Sequence, residues 1–110
     1  MSWAEWAKMS NRERVLHVLR GPEASRIRFT FPAVGGSITV NHMTFDRVAN
    51  AIDHGAIRIT VKRTFPPGVH ARYLTDKNII ETPPVIGRVD AGMVLHECTH
   101  AAFDLARTAV

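Results

Sequence analysis

The stretch GMVLHECTHAAFDL, residues 92–105, decides how the rest of the chain is read. Met93, Val94, Leu95, Ala101, Ala102 and Phe103 flank a polar centre, His96-Glu97-Cys98-Thr99-His100, at spacings that suit a helix and no strand. The segment from about Val89 to about Thr108 is therefore predicted to be one helix. A helix turns about 100° per residue, so His96 and His100 lie about 40° apart, one turn above the other.

Upstream of that helix the period changes repeatedly. ARYLTDKNIIET, residues 71–82, reads as a hairpin turning at Asp76-Lys77-Asn78 and ended by Pro83-Pro84. AIRITVKR alternates Ile57, Ile59 and Val61 with Arg58, Thr60 and Lys62, which predicts a half-buried strand. TFDRVANAIDHG carries a helical stripe of Phe45, Val48, Ala49 and Ile52, with Thr44 as its cap and Gly55 as its stop. RIRFTF and SITV, joined by PAVGG, form a first hairpin with one apolar face (Ile27, Phe29, Phe31). SNRERVLHVLR opens with the Ser10–Glu13 capping box and stops at Gly21-Pro22. Trp3 and Trp6 are expected on a preceding turn, packed back on that helix. The order is helix, hairpin, helix, strand, hairpin, helix. It predicts an α+β fold, a small and mostly antiparallel sheet packed by two or three helices, in one domain over residues 1–110.

Composition narrows the function classes. A chain of 110 residues with 45% hydrophobic and 22% charged residues can bury one core. Its net charge of +4 is spread along the sequence without a basic run, which argues for a solvated surface over a nucleic-acid footprint. No segment has the apolar length of a membrane span or a signal peptide. With a single cysteine, Cys98, an intrachain disulfide is impossible, so a reducing, cytoplasmic setting is expected, signal-independent export remaining open.

The polar centre of the last helix carries the chemistry. Two imidazoles one turn apart can share a tetrahedral cation at about 2.0–2.1 Å from each nitrogen. Glu97, one residue round from His96, stands beside such a cation, where it can take a proton from an attacking water and return it to a leaving amine. Cys98 points elsewhere and reads as buried packing. The bland alternative is an amphipathic core helix whose two histidines do no chemistry.

Residues 71–105 resemble the core of the zincin-type zinc metallopeptidases. In that superfamily a strand precedes the helix bearing His-Glu-x-x-His. The order of elements from TFDRVANAIDHGAIRITV onward is similar to small uncharacterised bacterial proteins with a His-Glu-x-Thr-His-Ala helix. The resemblance implies zinc as cofactor, His96 and His100 as its ligands, Glu97 as general base, and a peptide or protein substrate held along the preceding strand.

The chain departs from the metzincin pattern, which places a glycine and a third histidine soon after the motif. Ten residues follow His100 and supply neither. Gluzincins take a glutamate from a following helix, and none is present in this sequence. Asp104 lies about 12 Å along the helix from His96, too far to share its cation, so it reads as an orienting partner of the His100 ring or as an exposed acid. His17, His42, His54 and His70 are the other imidazoles, and His42 and His70 follow loops that could approach the site. A third ligand could thus come from an upstream histidine, water, a partner chain in a homo-oligomer, or sequence beyond Val110. The competing expectation is a non-enzymatic metal-binding or protein-interaction module built on the same helix.

Overall fold

The computed structural model describes residues 2–33 and 35–108 and has the α+β architecture read from the sequence. Two short helices, α1 (Trp3–Lys8) and α2 (Asn11–Leu19), are followed by one turn of helix, α3 (Pro22–Ser25). Strands β1 (Phe29–Ala33) and β2 (Gly36–Val40) form an antiparallel hairpin with Phe29 opposite Val40. Helix α4 (His42–Asp53) leads to β3 (Arg58–Val61). Strands β4 (Arg72–Leu74) and β5 (Ile79–Thr82) precede the long helix α5 (Arg88–Thr108).

The second sheet has the order β3-β5-β4. Strand β5 runs parallel to β3, with Ile59 beside Ile80, and antiparallel to β4, with Tyr73 opposite Ile80. The hairpin turns at residues 75–78, where Lys77 N–H donates to the Leu74 carbonyl at 3.3 Å and Asn78 takes a left-handed φ of 53°. Strand β4 is one edge of that sheet, and it lies against α5.

Helix α5 buries Val94, Leu95, Cys98, Ala101 and Ala102, the i, i+1, i+4, i+7, i+8 stripe of one helical face. That stripe joins a core made by Val15, Leu16 and Leu19 of α2, by Phe45, Val48, Ala49 and Ile52 of α4, and by Val40 and Ile80 of the two sheets. Full burial of each large apolar side chain contributes about 1.5–3 kcal/mol. Because that face is committed to the core, His96 and His100 are turned outward on the other side.

The start of α5 is pinned by the N-terminal helices. Asn11 accepts from the Val85 N–H at 2.7 Å and donates to Thr82 Oγ1 at 3.1 Å. Trp6 Nε1 and Arg14 both donate to the Val85 carbonyl, at 3.2 and 3.1 Å. Asp90 then accepts from the Ile86 and Gly87 N–H groups, each at 3.1 Å, and so satisfies donors at the helix N-terminus.

Several local expectations need correction. Asn41, not Thr44, caps α4. Asn41 accepts from Met43 N–H at 2.9 Å, and Thr44 at the third position accepts from the Asn41 N–H at 2.7 Å. Both residues are good caps, and the reciprocal pair satisfies more backbone donors than Thr44 alone. Strand β1 starts at Phe29, so Ile27 precedes it. Val61 is 45% exposed: buried Ile57 precedes the short strand β3, and within the strand Ile59 alone is half-buried. Trp6 packs edge-on to His17 with ring centroids 5.8 Å apart, as expected, whereas Trp3 is 67% exposed. Among the described residues no helix is long and apolar enough to cross a membrane.

Candidate metal centre

On the outward side of α5, His96 and His100 turn their Nε2 atoms to within 3.3 Å of each other, with the rings nearly perpendicular at 81°. Two nitrogens bound to one tetrahedral cation at about 2.0–2.1 Å stand about 3.3–3.4 Å apart. The observed spacing is that tetrahedron's edge. The same separation is long for a hydrogen bond between two nitrogens, so a shared proton uses the geometry less well than a shared cation. Glu97 completes the cluster: ligand atoms of His96, Glu97 and His100 all lie within 4.8 Å of one another. Two exposed imidazoles and a half-buried carboxylate are a donor set that fits a divalent metal ion, in a place that ions and water can reach.

The helix explains the division of labour. Cys98 is fully buried on the core face, and that burial, with the nearby Glu97 carboxylate, pushes its thiol well above the ordinary range. A thiol held protonated and pointed inward is no ligand, as its helical direction implied. Thr99 turns its hydroxyl back to the Leu95 carbonyl at 2.8 Å, so the side chain between the two histidines' turns is satisfied within the helix.

Two clefts meet at His96. The larger, about 630 Å³, is lined by Ile27, Phe29, Leu95, Phe103, His96 and His100, with Gly92 and Thr99. It is almost wholly apolar, and it accounts for Phe29, which stays 49% exposed although it stands opposite buried Val40. The smaller, about 420 Å³, has Met93, His96 and Glu97 on its helical wall and residues 68–72 on the other. That second wall is the approach to edge strand β4. His96 thus separates an apolar recess from a second cleft that contains the Glu97 carboxylate.

Of the upstream histidines, His70 lines the smaller cleft, although it stands outside the ligand cluster. His42 begins α4 and is exposed, His54 is that helix's C-cap, and His17 lies against Trp6. Asp104 is half-buried, with its Oδ2 3.3 Å from the Tyr73 hydroxyl on β4, and Tyr73 also lies 3.1 Å from Asn78 Oδ1. The acid therefore ties α5 to the β4–β5 hairpin. Sequence reasoning did not find this link, since nothing local couples position 73 to position 104. Another cleft, of about 440 Å³, lies at the end of α4 between Arg12, Asp53, His54 and Arg58. Asp53 there is held below the usual carboxylate range, first by its hydrogen bond from Arg20 at 2.6 Å. None of the three ligand-cluster residues lines that cleft.

No family model, curated protein or solved structure matches this chain.

Proposed function

We propose that the chain is a zinc-dependent metallopeptidase of zincin type, with His96 and His100 as zinc ligands and Glu97 as general base. The observation that carries this reading is the 3.3 Å separation of the two Nε2 atoms beside a carboxylate. Two imidazoles at tetrahedral spacing suit zinc among the biological divalent ions. When bound, zinc supplies a Lewis acid that makes a water nucleophilic near neutral pH and polarises a carbonyl.

The chain's own residues supply the rest. Glu97 receives the proton of the attacking water as the new C–O bond forms, and the same carboxyl then delivers it to the departing amine as the peptide C–N bond breaks. The free edge of β4 beside the smaller cleft offers backbone donors and acceptors to an extended peptide. The apolar recess on the other side of His96 takes a large apolar side chain of that peptide. Substrates with Phe, Leu or Met beside the scissile bond are therefore preferred.

The test is hydrolysis of a mixed peptide library by the zinc-loaded protein and by its Glu97→Gln variant. The expected result is cleavage that falls by about 10²–10⁴-fold in the variant. Cleavage undiminished by Glu97→Gln would refute the reading. The second reading, a metal-binding or interaction module without turnover, is favoured by one observation: among the described residues the ligand cluster has three members and no fourth. It predicts zinc binding with no library cleavage.

A further inference from the structure

We propose that His70 is the hydrogen-bond donor that stabilises negative charge developing on the substrate carbonyl oxygen, facing Glu97 and His96 across the smaller cleft. This rests on the peptidase reading and extends it to a residue outside the motif. The starting observation is a turn. Val69 N–H donates to the Pro66 carbonyl at 3.0 Å, Pro67 occupies the second position, and Gly68 has a φ of +81°. Proline followed by a left-handed glycine is the chemistry of a type II turn, which fixes two of its four residues in advance. The turn opens directly into His70 and then into edge strand β4.

Such a turn delivers His70 to a defined place, and that place is the wall opposite the helix. Residues 68–72 form one side of the cleft of about 420 Å³, while Met93, His96 and Glu97 form the other. A peptide laid along β4 passes between them with its carbonyl groups toward the helix or toward the turn. In hydrolysis the carbonyl carbon becomes tetrahedral and its oxygen gains a full negative charge, which a positioned N–H stabilises more in the transition state than in the substrate.

Two side chains from the turn wall could donate, His70 and Arg72. Arg72 is drawn toward the sheet: its Nε donates to Glu81, the residue directly opposite on β5, and this ion pair holds its guanidinium on that side. Glu81 is held below the usual carboxylate range chiefly by that bond, and Lys62 adds a weaker contact at 3.9 Å. His70 is exposed to the cleft and lies outside the metal-ligand cluster, so its imidazole serves the substrate and not the cation.

The experiment measures zinc stoichiometry and the affinity of a peptide phosphinate, whose tetrahedral anionic group mimics the charged oxygen, for the zinc-loaded wild type, His70→Ala and His70→Gln. His70→Ala is expected to keep one zinc per chain and to bind the phosphinate about 10²-fold more weakly. His70→Gln, which retains an N–H donor, is expected to recover part of that loss. Where peptide cleavage is measurable, kcat falls with KM little changed. Equal phosphinate affinity in His70→Ala and wild type overturns the proposal, as does a wild type that fails to bind the phosphinate. Loss of zinc in His70→Ala overturns it as well, by making His70 a ligand. A zinc-loaded wild type that binds the phosphinate through His70 but cleaves no peptide would refute the peptidase reading and leave this donor in place.

Discussion

The hydroxyl of Tyr73 on the edge strand lies 3.3 Å from the Asp104 carboxylate on α5, one turn beyond His100. It is a side-chain link between the helix that carries the metal ligands and the strand proposed to hold substrate. Burial, and then the Asp104 charge, push the Tyr73 hydroxyl up from 10.0 to about 12. A folded-state value above the unfolded one means that the contribution to stability is present below pH 10 and is lost as the pH rises toward about 12. Tyr73 is the chain's single tyrosine, so phenolate absorbance reports it alone. The titration midpoint should lie near 12 in the wild type and fall toward 10 in Asp104→Asn. An unchanged midpoint in the variant would mean that the carboxylate does not act on the phenol.

Arg14 should hold the N-terminal helix in place. Its guanidinium donates to the carbonyls of Trp6 at 3.1 Å, Ala7 at 3.4 Å and Val85 at 3.1 Å, and it lies 5.6 Å from the centre of the Trp6 ring. Arg14→Met keeps most of the stem and removes these bonds. We expect a loss of about 1.5–3 kcal/mol in chemical denaturation, with a red shift of tryptophan fluorescence as Trp6 is wetted. Stability within about 0.5 kcal/mol of wild type would show that Val85 is held well enough by Asn11 and Trp6.

Cys98 should be inert in the folded chain. It is fully buried among the core residues of α5, and burial pushes its thiol up. A thiol reagent should therefore label the native protein only as fast as it unfolds, and label it at once in denaturant. Cys98→Ser, which places a hydroxyl in apolar surroundings, should cost about 1–3 kcal/mol, whereas Cys98→Ala should cost less. Rapid labelling of the native chain at neutral pH would contradict this placement.

Much of this molecule is written locally and some of it is not. The Ser10–Glu13 capping box, the turn at residues 75–78 and the buried stripe of α5 follow from spacings of a few residues, and all three are present. The convergence of His96 and His100 belongs to the same class, since one helical turn places both. Pairing of β3 with β5 is different: it joins residues about twenty apart in the same direction, and alternation within either strand says nothing about its partner. The exposure of Val61 depends on that assembly, and that of Phe29 on how the β1–β2 hairpin sits beside α5. So does the role of Val85, whose carbonyl receives Trp6 and Arg14 from the opposite end of the chain. His70 lies between these cases. The loop before His70 was legible, but the wall it faces exists only once β4 has docked on α5.

Whether His96 and His100 jointly hold one metal ion is decided by zinc binding, measured by calorimetry with elemental analysis. The wild type should bind one zinc per chain and melt at a temperature that rises with zinc concentration, and both should be lost in His96→Ala and in His100→Ala. Zinc bound equally well by both variants, or by neither variant nor wild type, would contradict this joint site.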